Sequence, residues 1–195
     1  MNRGLDAAEA PPISVGQLTN NQIIIRLTYT VDHLSRWLSP VHDDARLTRS
    51  AQRSEPSAKD LMIRMRDEGL RVFPMIYAMA TQDRPDLDLL PPVVRTEEDL
   101  AWDRQAVVLE IMSEFRRLRQ STTSVLRSLP DDAWKRDGLS RIEHDWTIRS
   151  LAEHLLLHDV RLLGEMDHAL ERAGARAGIA RLSQARLTEL LRLAP

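Results

Sequence analysis

The chain has 195 residues, 43% hydrophobic and 29% charged, enough for one domain with a buried core and too apolar for a disordered tail or a fibre. Its 27 Lys plus Arg against 29 Asp plus Glu leave a formal net charge of -2, which offers no general attraction to a phosphate backbone or an anionic membrane, so neither nucleic acid nor membrane is an expected partner. No cysteine is present, which excludes disulfides, thiolate metal sites and a cysteine nucleophile.

In chain order, residues 1–18 carry Arg3, Asp6, Glu9 and Pro11-Pro12 and read as a flexible N-terminal segment without the apolar core of a signal peptide. No apolar run approaches the ~18 residues of a membrane span, and a cytoplasmic protein is expected. The first helix should run from about Thr19 to Ser39, with Ile23, Ile24, Leu27, Val31, Leu34, Leu38 and Val41 on one stripe and His33 beside it. A second begins near Ser57, where Asp60 completes a capping box, and continues to about Thr81; Pro74 lies inside it and should kink or divide it. Residues 82–95, rich in proline and aspartate, form a crossover.

Thr96 followed by Glu97, Glu98 and Asp99 reads as another cap, starting one long helix that reaches Pro130, a rod of roughly 50 Å at 1.5 Å per residue. Asp131 to Trp134 suggest a single turn and Gly138 to Trp146 an irregular connection. The fourth helix starts at Thr147 and extends to about Gly174, and a tail helix is expected from about Ala180 to Leu193. The organisation is then a bundle domain over 19–175 and a tail over 176–195. Convincing strand alternation is absent, so the fold class is all-α, a four-helix bundle with an extra C-terminal helix. Leu27, Leu34, Leu61, Val72, Ile111, Phe115, Leu155 and Leu162 are the expected core.

His154 and His158 stand four residues apart on the fourth helix, so their side chains lie one turn apart on one face and can converge on an ion. The alternative is a pair of partly buried, hydrogen-bonded histidines. Two histidines alone do not make a zinc or nickel site, and another helix must contribute. Glu68 or His33 can do so, although Glu68 can equally pair with Arg64 at i,i+4 and His33 can pack near Trp37. Asp159 falls in the middle of the apolar stripe, where an unpaired carboxylate would be costly, and should have a partner. The methionines Met62, Met65, Met75, Met79, Met112 and Met166 read as core filler. No G-x-S-x-G elbow, phosphate-binding glycine loop or His-Glu-x-x-His pair is present.

The run from Ile142 through Trp146-Thr147 to His154 and His158 resembles the signature of the DinB-like superfamily, in which a Trp-Thr helix start precedes a last helix with two metal-binding histidines. Leu129-Pro130-Asp131-Asp132-Ala133-Trp134 resembles the turn that enters this element. The resemblance implies a four-helix bundle with up-down-down-up connectivity, frequently dimeric, and an activity among metal-dependent thiol transferases that use small thiols such as bacillithiol, mycothiol or glutathione. A homodimer is expected on that ground and because Ile25 and Leu157 fall outside the main stripes.

In the family a histidine of the second helix completes the metal site, and alignment puts Arg64 there, a side chain with no lone pair for a metal. If a divalent ion, zinc or nickel, still binds, His154 and His158 need Glu68 or His33 with Arg64 turned aside. Otherwise Arg64 points into the cleft, toward Glu68, Asp159 or a small anionic ligand, and metal binding is weak or absent, the outcome this reading favours. Two functions follow: a small-molecule thiol transferase with a degenerate metal site, or a non-catalytic bundle that binds a ligand or partner.

Overall fold

Side-chain caps start the helices where the sequence places them: Thr19, Ser57, Thr96 and Thr147 each accept the backbone N–H three residues on. The computed structural model describes residues 13–50 and 55–175 and the backbone of Leu193–Ala194. Its helices are α1 (Asn20–Leu38), α2 (Asp44–Thr48), α3 (Ala58–Thr81), α4 (Glu97–Gln105), α5 (Val108–Ser128) and α6 (Ile148–Arg172). Strands are limited to two-residue pairs, β1 (Ile13–Ser14) parallel to β4 (Leu193–Ala194) and β2 (Asp137–Gly138) antiparallel to β3 (Trp146–Thr147).

The long helices α1, α3, α5 and α6 form the bundle, with α3 and α1 each packed on both α5 and α6. Side-chain contacts give the directions. Arg66 reaches Glu114 and Gly69 abuts Leu118, so α3 and α5 run parallel. Arg64 lies by Glu165 and Glu68 by His154, so α3 and α6 are antiparallel. Arg116 meets Ser35 and Arg127 meets Thr28, which makes α1 and α5 antiparallel. The connectivity is up-down-down-up, with the chain crossing the bundle diagonally from α1 to α3. At Gly69 a β-carbon would come within 2.7 Å of the Leu118 side chain, so a glycine permits this close approach of the parallel pair.

All eight expected core residues are buried, and all six methionines read as filler lie inside. The apolar interior falls into two clusters, one at each end of the bundle. Between them runs a polar waist in which Thr30, Arg119 and Asp159 are buried.

Of the two alternatives for Pro74, division does not occur: α3 runs unbroken from Ala58 to Thr81. Two expectations about elements change. The single 50 Å rod is two helices: the chain turns extended at Ala106 and Val107, Glu110 accepts the Val107 N–H at 3.1 Å and Asp44 accepts the Val108 N–H at 3.2 Å, so α5 has an N-terminus of its own and is about 32 Å long. Residues 13–18, assigned to the flexible segment, carry β1 and a 3-10 turn, with Val15 and Leu18 buried. The tail helix falls outside the described residues except at Leu193, whose backbone is extended.

The crossover is anchored by charge. Arg66, 2% exposed, grips Asp103 of α4 through two bonds of 2.6 and 2.9 Å and also donates to Asp67 and Glu114. Arg95 bridges Asp67 and Asp103 at 2.8 and 2.6 Å. Burial raises the Asp103 carboxyl, but Arg66 and then Arg95 outweigh that and hold it below the ordinary range. No described helix is long and apolar enough to cross a membrane.

Candidate functional site

Helix phase brings Glu68 of α3 onto His154 of α6. The carboxylate Oε1 lies 2.6 Å from His154 Nε2, and Arg71, three residues on, holds the same carboxylate with Nη2 to Oε1 at 2.8 Å and Nε to Oε2 at 3.2 Å. Burial pushes the Glu68 carboxyl up, yet the hydrogen bonds from His154 and Arg71 prevail and bring it down to about 2. Glu68 is therefore ionised at neutral pH, and His154 Nε2 carries the proton that it donates. Arg71 Nη2 also approaches that nitrogen at 3.4 Å, but two N–H groups cannot bond each other, and the contact is one of two donors on one carboxylate.

His158 lies one turn further along α6, its ring centroid 6.4 Å from that of His154. Burial, opposed by the charge of Glu68, pushes it down to about 4, so its imidazole is neutral, and its Nδ1 is buried without a hydrogen-bond partner. Trp146 packs edge-on against His154 at 5.5 Å, and its indole N–H donates to Glu143 at 2.7 Å. Glu143 in turn accepts from Arg71 Nη1 at 3.1 Å, so the loop before α6 closes on the site. The His144 ring lies against the Trp146 ring, tilted by 42° with centroids 4.0 Å apart.

Arg64 is not at this site. Its side chain is 55% exposed and its nearest acid is Glu165 at 3.9 Å, so its expected pairing with Glu68 or Asp159 does not occur; Arg71 takes Glu68 and Arg119 takes Asp159. Arg64 shares an edge of α3 with Glu68, but Arg71 already holds that carboxylate, and a long flexible cation reaches solvent at little cost. Asp159 is fully buried, bonded to Arg119 at 2.8 Å, with Arg119 lying 4.9 Å above the Phe115 ring. Burial pushes the Asp159 carboxyl up to about 6 against the charge of Arg119 and a bond from Thr30. His33 is buried edge-on against Trp37 at 4.8 Å, the packing alternative for that residue. Of the six candidates, the structure thus joins Glu68 to His154, leaves His158 one turn further along α6, places Asp159 in the waist and His33 against Trp37, and sets Arg64 apart.

Sequence reasoning missed Arg71, Arg119 and Glu143. Arg71 is on the same edge as Glu68 at i+3, and Arg119 interrupts the stripe of α5 as Asp159 does that of α6, so both had a spacing signal. Glu143, on an irregular stretch, had none.

By donor type the cluster fits a divalent ion: one ionised carboxylate and two imidazoles, one kept neutral by burial. Glu68 and His154 point at each other, so an ion held there would have to displace the proton between them. Arg71 is the competitor, a fixed cation on the same carboxylate. Among the described residues no three His, Asp or Glu side chains stand close enough together to hold an ion as they are.

No family model matches the sequence, and no curated protein matches it. Solved structures do. YfiT from Bacillus subtilis, described as a probable metal-dependent hydrolase with an unusual four-helix bundle topology, superposes with a TM-score of 0.63 at 16% identity over 80% of this chain and 87% of its own. A mycothiol-dependent maleylpyruvate isomerase superposes with a TM-score of 0.56 at 14% identity, over 90% of this chain and 70% of its own. The chain therefore shares the four-helix-bundle fold of these structures, the all-α architecture that the resemblance in its Trp-Thr start and histidine pair implied.

Proposed function

We propose that this chain is a DinB-like small-molecule enzyme in which Glu68, His154 and His158 hold a divalent ion, zinc or nickel, and that it transfers or hydrolyses a small substrate with a thiol or water as nucleophile. The observation that carries the reading is the 2.6 Å contact between Glu68 and His154, which joins α3 to α6 one turn from His158. The activities described for the two solved structures, a metal-dependent hydrolase and a thiol-dependent isomerase, support the same class. When bound, such an ion lowers the pKa of a thiol or water and so supplies a nucleophile at neutral pH.

The protein's own residues prepare the site. Arg71 orients Glu68 while competing with an ion for it, and Trp146 packs edge-on against the His154 ring. His158 offers a neutral imidazole without first losing a proton, because burial has already removed it. A homodimer belongs to this reading, through the outer face of α1, where Ile25 and Tyr29 are exposed one turn apart; Leu157 instead packs on the core.

Calorimetric titration of the tag-free protein with zinc and nickel near neutral pH tests the proposal. One-site binding is expected, abolished in His154→Ala and weakened at least ~10-fold in Glu68→Gln. Absence of binding in a folded wild type, or equal binding by wild type and His154→Ala, would refute it in favour of a non-catalytic binding bundle.

A further inference from the structure

The last carboxylate on Arg71 comes from a loop, not from the bundle. Arg71 directs Nε and Nη2 at Glu68, whereas Nη1 donates to Glu143 at 3.1 Å and faces the Met75 sulphur at 4.0 Å. That end of the guanidinium lines a crevice of about 210 Å³ together with Pro74, Met75, Leu87, Leu90 and Pro92. The volume equals roughly seven waters of liquid, room for one aromatic ring or a short alkyl chain.

The crevice is preformed. Leu87 N–H donates to the Leu139 carbonyl at 2.8 Å, and the Ser140 hydroxyl and Arg141 N–H both donate to Asp88 at 2.7 Å, which stitches its two walls together. Asp88 is thereby satisfied, its carboxyl held below the ordinary range by the Arg141 N–H and then the Ser140 hydroxyl. Among the described lining residues Arg71 is the one cation. At the lip Ile142 is 82% exposed and Val93 45%, large apolar surface of the sort that marks a binding site.

Apolar walls that end in a guanidinium select a molecule with an apolar body and an anionic head. Glu143, itself on the rim, already places a carboxylate at that position while its other oxygen accepts from Trp146. We infer that this crevice binds a small apolar carboxylate, whose head replaces Glu143 on Arg71 and whose body lies along Met75, Leu87 and Leu90. Because Arg71 also holds Glu68, the bound molecule is delivered beside His154, which names a substrate class for the function proposed above. The inference rests on that reading for the chemistry alone, since the binding requires no ion.

The indole N–H of Trp146 reports the exchange, because its acceptor Glu143 moves when the ligand enters. The 195-residue chain is titrated with hexanoate, hexan-1-ol and hexylammonium and followed by nitrogen-resolved NMR. A saturable shift of Trp146 is expected with hexanoate and about tenfold weaker binding of the other two, the scale of one charged hydrogen bond. Glu143→Gln should tighten hexanoate binding severalfold and Arg71→Gln should lose about tenfold. Leu90→Trp, which fills the crevice and leaves Arg71 in place, should abolish it, and this variant decides the matter if Arg71→Gln does not fold. Equal binding of hexanoate and hexan-1-ol, unchanged binding in Leu90→Trp, or a Trp146 signal that does not move overturns the inference. Zinc titration of the same samples separates the two claims: hexanoate binding without zinc uptake refutes the metal reading alone, and zinc uptake without hexanoate binding refutes the crevice alone.

Discussion

Glu68 illustrates how far a single residue can be read from spacing. Its place on the edge of α3 facing His154 follows from helix phase, and the sequence therefore offered it as a third ligand. What phase could not choose was its cation. Arg64 at i-4 and Arg71 at i+3 are both within reach on a helix surface, and Arg71 wins because it also meets Glu143 and the half-buried edge of α6. Arg64→Ala is accordingly expected to change stability by less than about 0.5 kcal/mol and to leave zinc titration unaltered, since an exposed pair at 3.9 Å contributes little. Arg71→Ala should tighten zinc binding by removing a cation 2.8 Å from the carboxylate ligand. Calorimetry on both variants checks this; an effect of Arg64→Ala equal to that of Arg71→Ala would return Arg64 to the site.

At the scale of elements, starts were easier to read than interruptions. Hydroxyl residues followed by an acid or amide mark α1, α3 and α4, because an N-cap is a local interaction written in four residues. The break between α4 and α5 is not local. Gln105, Ala106 and Val107 contain neither glycine nor proline, and the new helix start is satisfied partly by Asp44, more than sixty residues away in sequence. The same holds for the anchor of the crossover, where Arg66 of α3 joins Asp103 of α4. Asp103→Ala should lower the urea unfolding free energy by roughly 2–3 kcal/mol, as expected when one partner is removed from a buried ion pair whose other contacts, Asp67 and Glu114, remain. A loss within about 0.5 kcal/mol would mean that α4 is dispensable to the bundle.

For the whole molecule, apolar stripes announced four packed helices, but their order in space depended on contacts that no stripe contains, such as Ser35 with Arg116 and Asn20 with Arg149. The polar waist was half legible: Asp159 stood out in its stripe and demanded a partner, while the partner's identity awaited the reach of Arg119 from α5 across the bundle. That waist makes stability respond to pH in opposed ways. His158 is a base lowered from 6.5 to about 4, so between those values the unfolded chain binds its proton first and acidification destabilises the fold. Asp159 is an acid raised from 3.8 to about 6, so over nearly the same window the folded chain binds its proton first and acidification stabilises the fold. The two largely cancel, and the melting temperature of the metal-free protein should stay nearly level from pH 6.5 to 4.5. Below that, the ionised Glu68, lowered from 4.5 to about 2, loses its contribution progressively, and stability should fall. His158→Gln removes one side of the balance, so its melting temperature should rise as pH drops from 6 to 4.5, by the equivalent of roughly 1–2 kcal/mol. Circular-dichroism melts across this range provide the check, and a His158→Gln profile parallel to wild type would show that Asp159 does not take up its proton inside the fold.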